Sequence, residues 1–246
     1  MAVPVYCIPG IGSDDTMYDA VAERLAPAYS CIGWNLPGYG GAPALTDYGF
    51  ADLARLLRDD LDRRGLERAH VLGHSIGGMV ALEFAVTFPE RAASVLLSGT
   101  TSVFGSRDGA FQEQFLRDRL APLDAGLSMA ELARTFMPEL TRGRISQAEL
   151  DKAIAAMADI PQAAYRAAMQ CLVTFNRRAE IAALAPPCLL LAGELDTNAP
   201  LKTMQRMAEI IPDAEIAVFA GTGHMAPIEV PDEFAAAVRS FLERIS

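Results

Sequence analysis

Apolar residues along the chain fall into two alternating kinds of run. Short stretches rich in β-branched and aliphatic side chains occupy residues 3–8 (VPVYCI), 30–35 (SCIGWN), 69–74 (AHVLGH), 93–99 (ASVLLSG), 187–193 (PCLLLAG) and 214–220 (AEIAVFA). Between them, apolar residues recur every three or four positions over 18–26, 48–64, 76–88, 201–211 and 231–245. In the second of these segments, Phe50, Leu53, Leu56, Leu57 and Leu61 form one stripe, as in a helix that buries a single face. Strands that are apolar without strict alternation suit a sheet covered on both faces, and their alternation with helices suits parallel connections. The pattern predicts an α/β fold.

One interval breaks the alternation. From residue 104 to 184 no strand pattern appears, only helical patterns interrupted by Pro122, Gly126, Pro138, Gly143 and Pro161. Leu127, Met129, Leu132, Phe136 and Met137 would form one side of such helices. The expected organisation is a core made of 1–103 and 185–246, with 104–184 as a helical insertion. No internal repeat, low-complexity tract or flexible linker is evident.

Composition narrows the picture only modestly. A chain of 246 residues with 51% hydrophobic residues can build one sizeable core. Its 21 basic and 31 acidic residues give a formal net charge of −10, and no basic cluster offsets this, which argues against a nucleic-acid partner. The first residues, MAVPVYCIPG, lack a basic segment followed by an apolar one, and no apolar run approaches the roughly 20 residues that span a bilayer. A cytoplasmic protein with no membrane partner is expected, while the sequence leaves the oligomeric state open. Cys7, Cys31, Cys171 and Cys188 have no metal-ligand spacing, and buried free thiols suit them better than disulfides.

The strongest chemical signal is Gly73-His74-Ser75-Ile76-Gly77-Gly78, placed between a strand pattern and a helix pattern. G-x-S-x-G at such a junction is a nucleophile elbow. The sharp turn strains the serine backbone and leaves no space for side chains two residues before and after it. In return the hydroxyl stands clear of the sheet edge. A serine hydroxyl needs a base, and the chain has 3 histidines. His70 starts the strand that ends at the elbow, far from Ser75. His74 adjoins Ser75, and strand alternation would turn it to the opposite face. His224, in GTGHMAP directly after the last strand, would share the elbow's edge of a parallel sheet. The acid that orients this base is expected in Glu194-Leu195-Asp196-Thr197-Asn198-Ala199-Pro200, after the preceding strand, with Asp196 favoured over Glu194. The order Ser75, Asp196, His224 matches the one associated with the elbow.

These motifs, with Ile8-Pro9-Gly10-Ile11-Gly12 and Asn35-Leu36-Pro37-Gly38-Tyr39-Gly40, resemble the α/β-hydrolase fold superfamily over nearly the whole chain, in particular its small cap-bearing esterase, lactonase and C–C hydrolase members. The resemblance implies a serine hydrolase acting on a small carboxylic ester, thioester or lactone through an acyl-enzyme. The enol-lactonase-like members are the most similar, through GHSIGGMVALEFAVTFPERAASVLLSGT. Hydrolysis of a C–C bond in a diketone or ring-cleavage product, or a receptor without turnover, would use the same residues. The resemblance also implies backbone N–H groups of Ile11 and Ile76 as the oxyanion hole. Pro9 stands where the family usually has His, so the Ile11 loop is expected to be braced differently; Asn35 stands where the family usually has Asp, a structural and tolerable change.

Family members usually place two antiparallel strands before the one that ends at the oxyanion loop. Here that strand pattern begins by residue 3, so a six-stranded, all-parallel, doubly wound sheet of order 2-1-3-4-5-6 is expected. The insertion resembles the family's helical cap. Gly12, His74, Phe104, Met129, Met137 and Met225 are the expected pocket residues, although methionine at helical spacing is more often plain core. Met157 and Met169 are further methionines of the cap. Arg107, Arg117 and Arg166 are candidates to meet a substrate carboxylate, with solvated surface the simpler role for each. Gly10-Ile-Gly12 begins like a dinucleotide fingerprint, but Asp15 occupies the third glycine position. With no phosphate-binding loop and no ligand-spaced histidines, no cofactor or metal is expected.

Overall fold

The computed structural model describes residues 3–142 and 144–245; Gly143, one of the expected helix interruptions, lies outside them. Strands β1 (Val5–Ile8), β2 (Cys31–Gly33), β3 (Ala69–His74), β4 (Ala92–Ser98), β5 (Cys188–Gly193) and β6 (Glu215–Phe219) form one 6-stranded sheet of order β2-β1-β3-β4-β5-β6. Every adjacent pair is parallel. The predicted strand order is thus the observed one. Every residue of β1, β3 and β5 is buried, whereas the edge strand β6 alternates between covered and exposed positions. This is why the inner strands read as continuous apolar runs.

The core helices are α1 (Asp19–Leu25), α2 (Phe50–Arg63), α3 (Ile76–Thr87), α8 (Leu201–Ile210), the single turn α9 (Ala226–Glu229) and α10 (Pro231–Ile245). The chain steps outward from β1 to β2 and then returns to β3, so right-handed crossovers put α1 and α2 on opposite faces. The contacts agree: α1 packs on α10, and α2 packs on α3. The reversal leaves a crevice at the carboxyl ends of β1 and β3, where a doubly wound sheet binds its ligand.

Four helices connect β4 to β5: α4 (Ala110–Asp124), α5 (Met129–Leu140), α6 (Gln147–Ala158) and α7 (Gln162–Leu172). The two ends of this segment are tied together at its base. Val103 and Asn176 form an antiparallel bridge, and the N–H groups of Phe104 and Arg177 donate to the carbonyls of Phe175 and Ser102 at 2.9 and 2.7 Å. Pro122 and Pro138, expected as interruptions, lie inside α4 and α5. Both sit in a last helical turn, where a missing N–H still permits the helix two more residues. After Pro122, Gly126 at φ +94° closes α4: its N–H donates to Leu123 and the Leu127 N–H to Pro122, at 3.1 and 3.0 Å. Left-handed glycine with these two bonds satisfies the open carbonyls of the helix end.

The four cysteines are free, with Cys31 half-buried and the others buried. No helix among the described residues is long and apolar enough to cross a membrane.

Candidate active site

Ser75 joins β3 to α3 with φ +54° and ψ −118°, a conformation rare for any residue with a side chain. Hydrogen bonds from both directions fix it. The Ser75 N–H donates to the Ser98 carbonyl at 2.9 Å, and the Thr100 hydroxyl donates to the Ser75 carbonyl at 2.7 Å. The glycines around it serve close backbone approach. A Cβ on Gly73 would lie 2.0 Å from the Gly77 carbonyl oxygen, and one on Gly77 would lie 2.3 Å from that of Ile8. Ser75 Oγ makes no hydrogen bond to any of the described residues, and it faces the same cavity as His224.

His224 and Asp196 are brought together from the loops after β6 and β5. His224 Nδ1 lies 2.7 Å from Asp196 Oδ2, with both side chains buried. The other carboxylate oxygen of Asp196 accepts the N–H groups of Asn198 and Ala199 at 2.8 and 2.9 Å. Burial pushes the Asp196 carboxyl up, but the His224 contact and the two amides outweigh it and hold its pKa below the ordinary aspartate value. Glu194, the competing acid, is exposed and accepts the Gly221 N–H at 2.8 Å, away from His224.

The Ile11 loop follows β1, beside the elbow. Its carbonyl accepts the Tyr39 hydroxyl at 3.0 Å, so the Asn35–Gly40 turn braces the segment in which Pro9 replaces the usual histidine. Asn35 is matched to a local partner: its Oδ1 accepts the Asp15 N–H at 2.8 Å, and its Nδ2 donates to Asp15 Oδ1 at 2.7 Å. An aspartate at position 35 would set two carboxylates against each other. Ile76 is the first residue of α3, so its N–H has no intrahelical acceptor.

Ile11, Ser75 and His224 border a cavity of about 90 Å³ roofed by α4, α5 and α7, whereas Ile76 is not among the residues that line it. Of the expected pocket residues, Gly12, His74, Phe104, Met137 and Met225 line it, as do Ile11, Met169, Ser75 and His224. Met129 does not. It begins α5, whose buried face runs from Met129 to Leu140, and only the far end of that face reaches the cavity. Met137 lies eight positions along the helix from Met129, about 12 Å along the axis. The proposed carboxylate partners are elsewhere as well: Arg117 pairs with Glu113 at 3.6 Å and Arg166 with Asp124 at 2.6 Å, while Arg107 is exposed and outside the cavity.

His74 is placed differently from the alternation argument. Its ring lies against His224, with centroids 4.7 Å apart, because the strand pattern ends at His74 and the elbow turns the chain immediately afterwards. Its Nδ1 is 3.1 Å from Ser98 Oγ, and its buried Nε2 has no partner among the described residues. Burial, reinforced by His224, holds its pKa well below the ordinary histidine value, so it is neutral near pH 7. His70, at the other end of β3, is a satisfied core histidine, with Nδ1 2.8 Å from Ser94 Oγ.

Two further residues of the site are not among those the sequence motifs mark. Buried Glu229 accepts the N–H groups of Arg142, Gly223 and Met225 at 3.0, 3.1 and 3.0 Å, and so clasps the residues on either side of His224. A glutamate five residues after the histidine carries no motif that would have marked it. Arg119 on α4 also lines the cavity. Its signal was available, since Phe111, Phe115 and Arg119 recur every four residues on one helix face. Among the described residues, no group of three or more His, Cys, Asp or Glu is placed to hold a metal ion.

A six-stranded parallel sheet with a strained serine between its third strand and the following helix defines the α/β-hydrolase class. The chain belongs to the alpha/beta hydrolase family, which it matches over residues 5–237. It is 29% identical over 252 residues to the dihydrolipoyllysine-residue acetyltransferase component of the acetoin cleaving system of Cupriavidus necator, covering 98% of this chain but only 64% of that relative's length. It is 28% identical over 251 residues to a 2-hydroxy-6-oxononadienedioate/2-hydroxy-6-oxononatrienedioate hydrolase of a Pseudomonas species, covering 96% of this chain and 85% of the relative. Among solved structures, a thermophilic esterase of Thermogutta terrifontis superimposes with a TM-score of 0.90 at 25% identity, covering 100% of this chain and 91% of the other. The hydrolases among these relatives support activity of the hydrolase class. They do not identify the substrate.

Proposed function

We propose that the protein is a serine hydrolase of small carboxylic esters, thioesters or lactones, working through an acyl-enzyme. The observation that carries this reading is the buried 2.7 Å contact between His224 Nδ1 and Asp196 Oδ2, in a cavity shared by His224 and the elbow serine. In this reading Asp196 holds the imidazole with Nδ1 protonated, leaving Nε2 as the base. His224 takes the Ser75 proton as Oγ attacks the acyl carbonyl, and returns it to the leaving oxygen or sulfur. The N–H groups of Ile11 and Ile76 hold the developing oxyanion, each worth about 3 kcal/mol in such sites. A water activated by the same imidazole then attacks the acyl-enzyme and releases the acid. Residues 104–184 act as the cap, which excludes bulk water and shapes an apolar acyl pocket.

The test is an assay of the wild type and Ser75→Ala against a chain-length series of p-nitrophenyl esters and simple lactones. Loss of about 10³-fold or more in kcat is expected in the variant. Equal activity in both proteins would sink the assignment of Ser75 as nucleophile.

A further inference from the structure

Among the described residues around the cavity, one side chain carries a permanent charge. Arg119 lines the same cavity as Ser75 and His224, and no aspartate or glutamate does. Its guanidinium carbon lies 4.6 Å from the centre of the Phe136 ring and 5.5 Å from that of Phe115, and both rings line the cavity. The charged groups next to it on α4 and across from that helix have partners other than Arg119. Arg117 and Arg166 have their carboxylates, and Asp118, next to it in sequence, accepts the side-chain amide of Gln114 at 2.6 Å. Arg119 itself forms no ion pair or hydrogen bond with the described residues.

Ring faces steady a guanidinium without satisfying its N–H donors, which lie in its own plane. A half-buried cation whose donors have no protein partner among the described residues, against apolar walls, is a site for an anion that accepts two of them at once, and a carboxylate has that geometry. Phe136 also borders the Ile11 loop: an edge carbon of its ring lies 3.6 Å from where a Cβ on Gly12 would be. The same ring thus lies beside both that loop and the cation.

We propose that Arg119 recognises a carboxylate, and that the substrates of this site are short esters or lactones whose acyl chain ends in a free carboxylate. The inference rests on the hydrolase reading above and narrows it. Arg119 acts as a specificity residue: it binds the end of the acyl chain remote from the scissile bond and takes no part in proton transfer.

The experiment compares the monoethyl esters of succinate, glutarate and adipate with ethyl butanoate, pentanoate and hexanoate, their uncharged counterparts of equal chain length. Ethanol release is followed for wild type, Arg119→Gln and Arg119→Lys. The wild type is expected to favour a charged ester by about 10-fold or more in kcat/KM, and Arg119→Gln to reduce that preference about 10- to 100-fold, mainly through KM. Arg119→Lys, which keeps the charge but not the fork, should retain part of it. Calorimetric titration of Ser75→Ala with monoethyl glutarate separates this inference from the hydrolase reading. Binding there that disappears in the Ser75→Ala, Arg119→Gln double variant, without wild-type turnover, would uphold Arg119 and remove the hydrolase reading. Turnover that is as fast on neutral as on charged esters, and falls equally on both in Arg119→Gln, would overturn the role of Arg119 and leave the hydrolase standing. Neither binding nor turnover of any charged ester would also overturn it.

Discussion

The backbone N–H of His224 donates to the carbonyl of Leu140 across 2.8 Å. Leu140 is the last residue of α5, so the loop that carries the histidine is closed by one of the carbonyls a helix end leaves open. Glu229 completes the junction by taking one N–H from the insertion, at Arg142, and two from the histidine loop, at Gly223 and Met225. The loop that carries the imidazole is therefore held by the β4–β5 connection as well as by the sheet.

Glu229→Gln is predicted to impair turnover more than binding. An amide NH2 would replace one of the two acceptor oxygens that now face only backbone donors, and the loop must shift to relieve the conflict. A displacement of about 1 Å at a catalytic group costs on the order of 100-fold in rate. The expected outcome is a fall of that order in kcat with a smaller change in KM and an unchanged far-ultraviolet circular dichroism spectrum. Wild-type kcat in Glu229→Gln would show that the clasp does not position His224.

Asp196→Asn separates charge and tautomer from folding. The amide oxygen can still accept the Asn198 and Ala199 N–H groups that fix Oδ1 in the native loop. Its NH2 would then face His224 Nδ1 and force the proton to Nε2, where it blocks acceptance from Ser75. A loss of about 10⁴-fold in kcat with little change in melting temperature is expected. Activity within tenfold of wild type would show that Asp196 does not set the tautomer.

Much of this was legible in the sequence because the sheet is buried on both faces. Runs such as AHVLGH and PCLLLAG suit inner strands, and Gly73 and Gly77 are forced by backbone contacts that any residue with a Cβ would break. The edge strand β2 is shorter than its apolar run, at three residues. Pocket residues were harder to read. Met129 and Met137 belong to one buried stripe, and only the docking of α5 decides which end of it meets the cavity. Glu229 was illegible for a different reason: its partners are backbone N–H groups, one of them 87 positions away in the chain.

His70 gives a prediction about acid stability. Burial, with Arg68 nearby, lowers its pKa to about 4, against about 6.5 for an unfolded histidine. Between those values the unfolded chain binds a proton that the folded one does not, so stability falls as pH drops from about 6.5 toward 4. His74, shifted in the same direction, adds to the effect. His70→Asn can keep a polar contact with Ser94 but has no proton to gain. The drop in melting temperature between pH 7.5 and pH 5 should be smaller in this variant than in wild type. An identical drop would mean that His70 is not among the groups that make the protein acid-labile.

The elbow makes the sharpest prediction about the backbone. A Cβ on Gly77 would sit 2.3 Å from the Ile8 carbonyl oxygen and 2.6 Å from that of Pro9, both main-chain atoms that cannot rotate away. Relief requires α3 to move off β1, and with it Ser75 and the Ile76 N–H. Gly65 is the contrast: its φ of +67° disfavours any side chain, but a Cβ there would meet nothing within 4 Å. Gly65→Ala should therefore cost only the left-handed backbone penalty, about 1–2 kcal/mol, with activity unchanged. Gly77→Ala should cost about 3 kcal/mol or more by overpacking, and should lower kcat even in the fraction that folds. Urea denaturation of the two variants, with kcat measured on the folded protein, makes the comparison. Equal destabilisation would mean that the close approach of α3 to β1 is not what requires glycine at position 77.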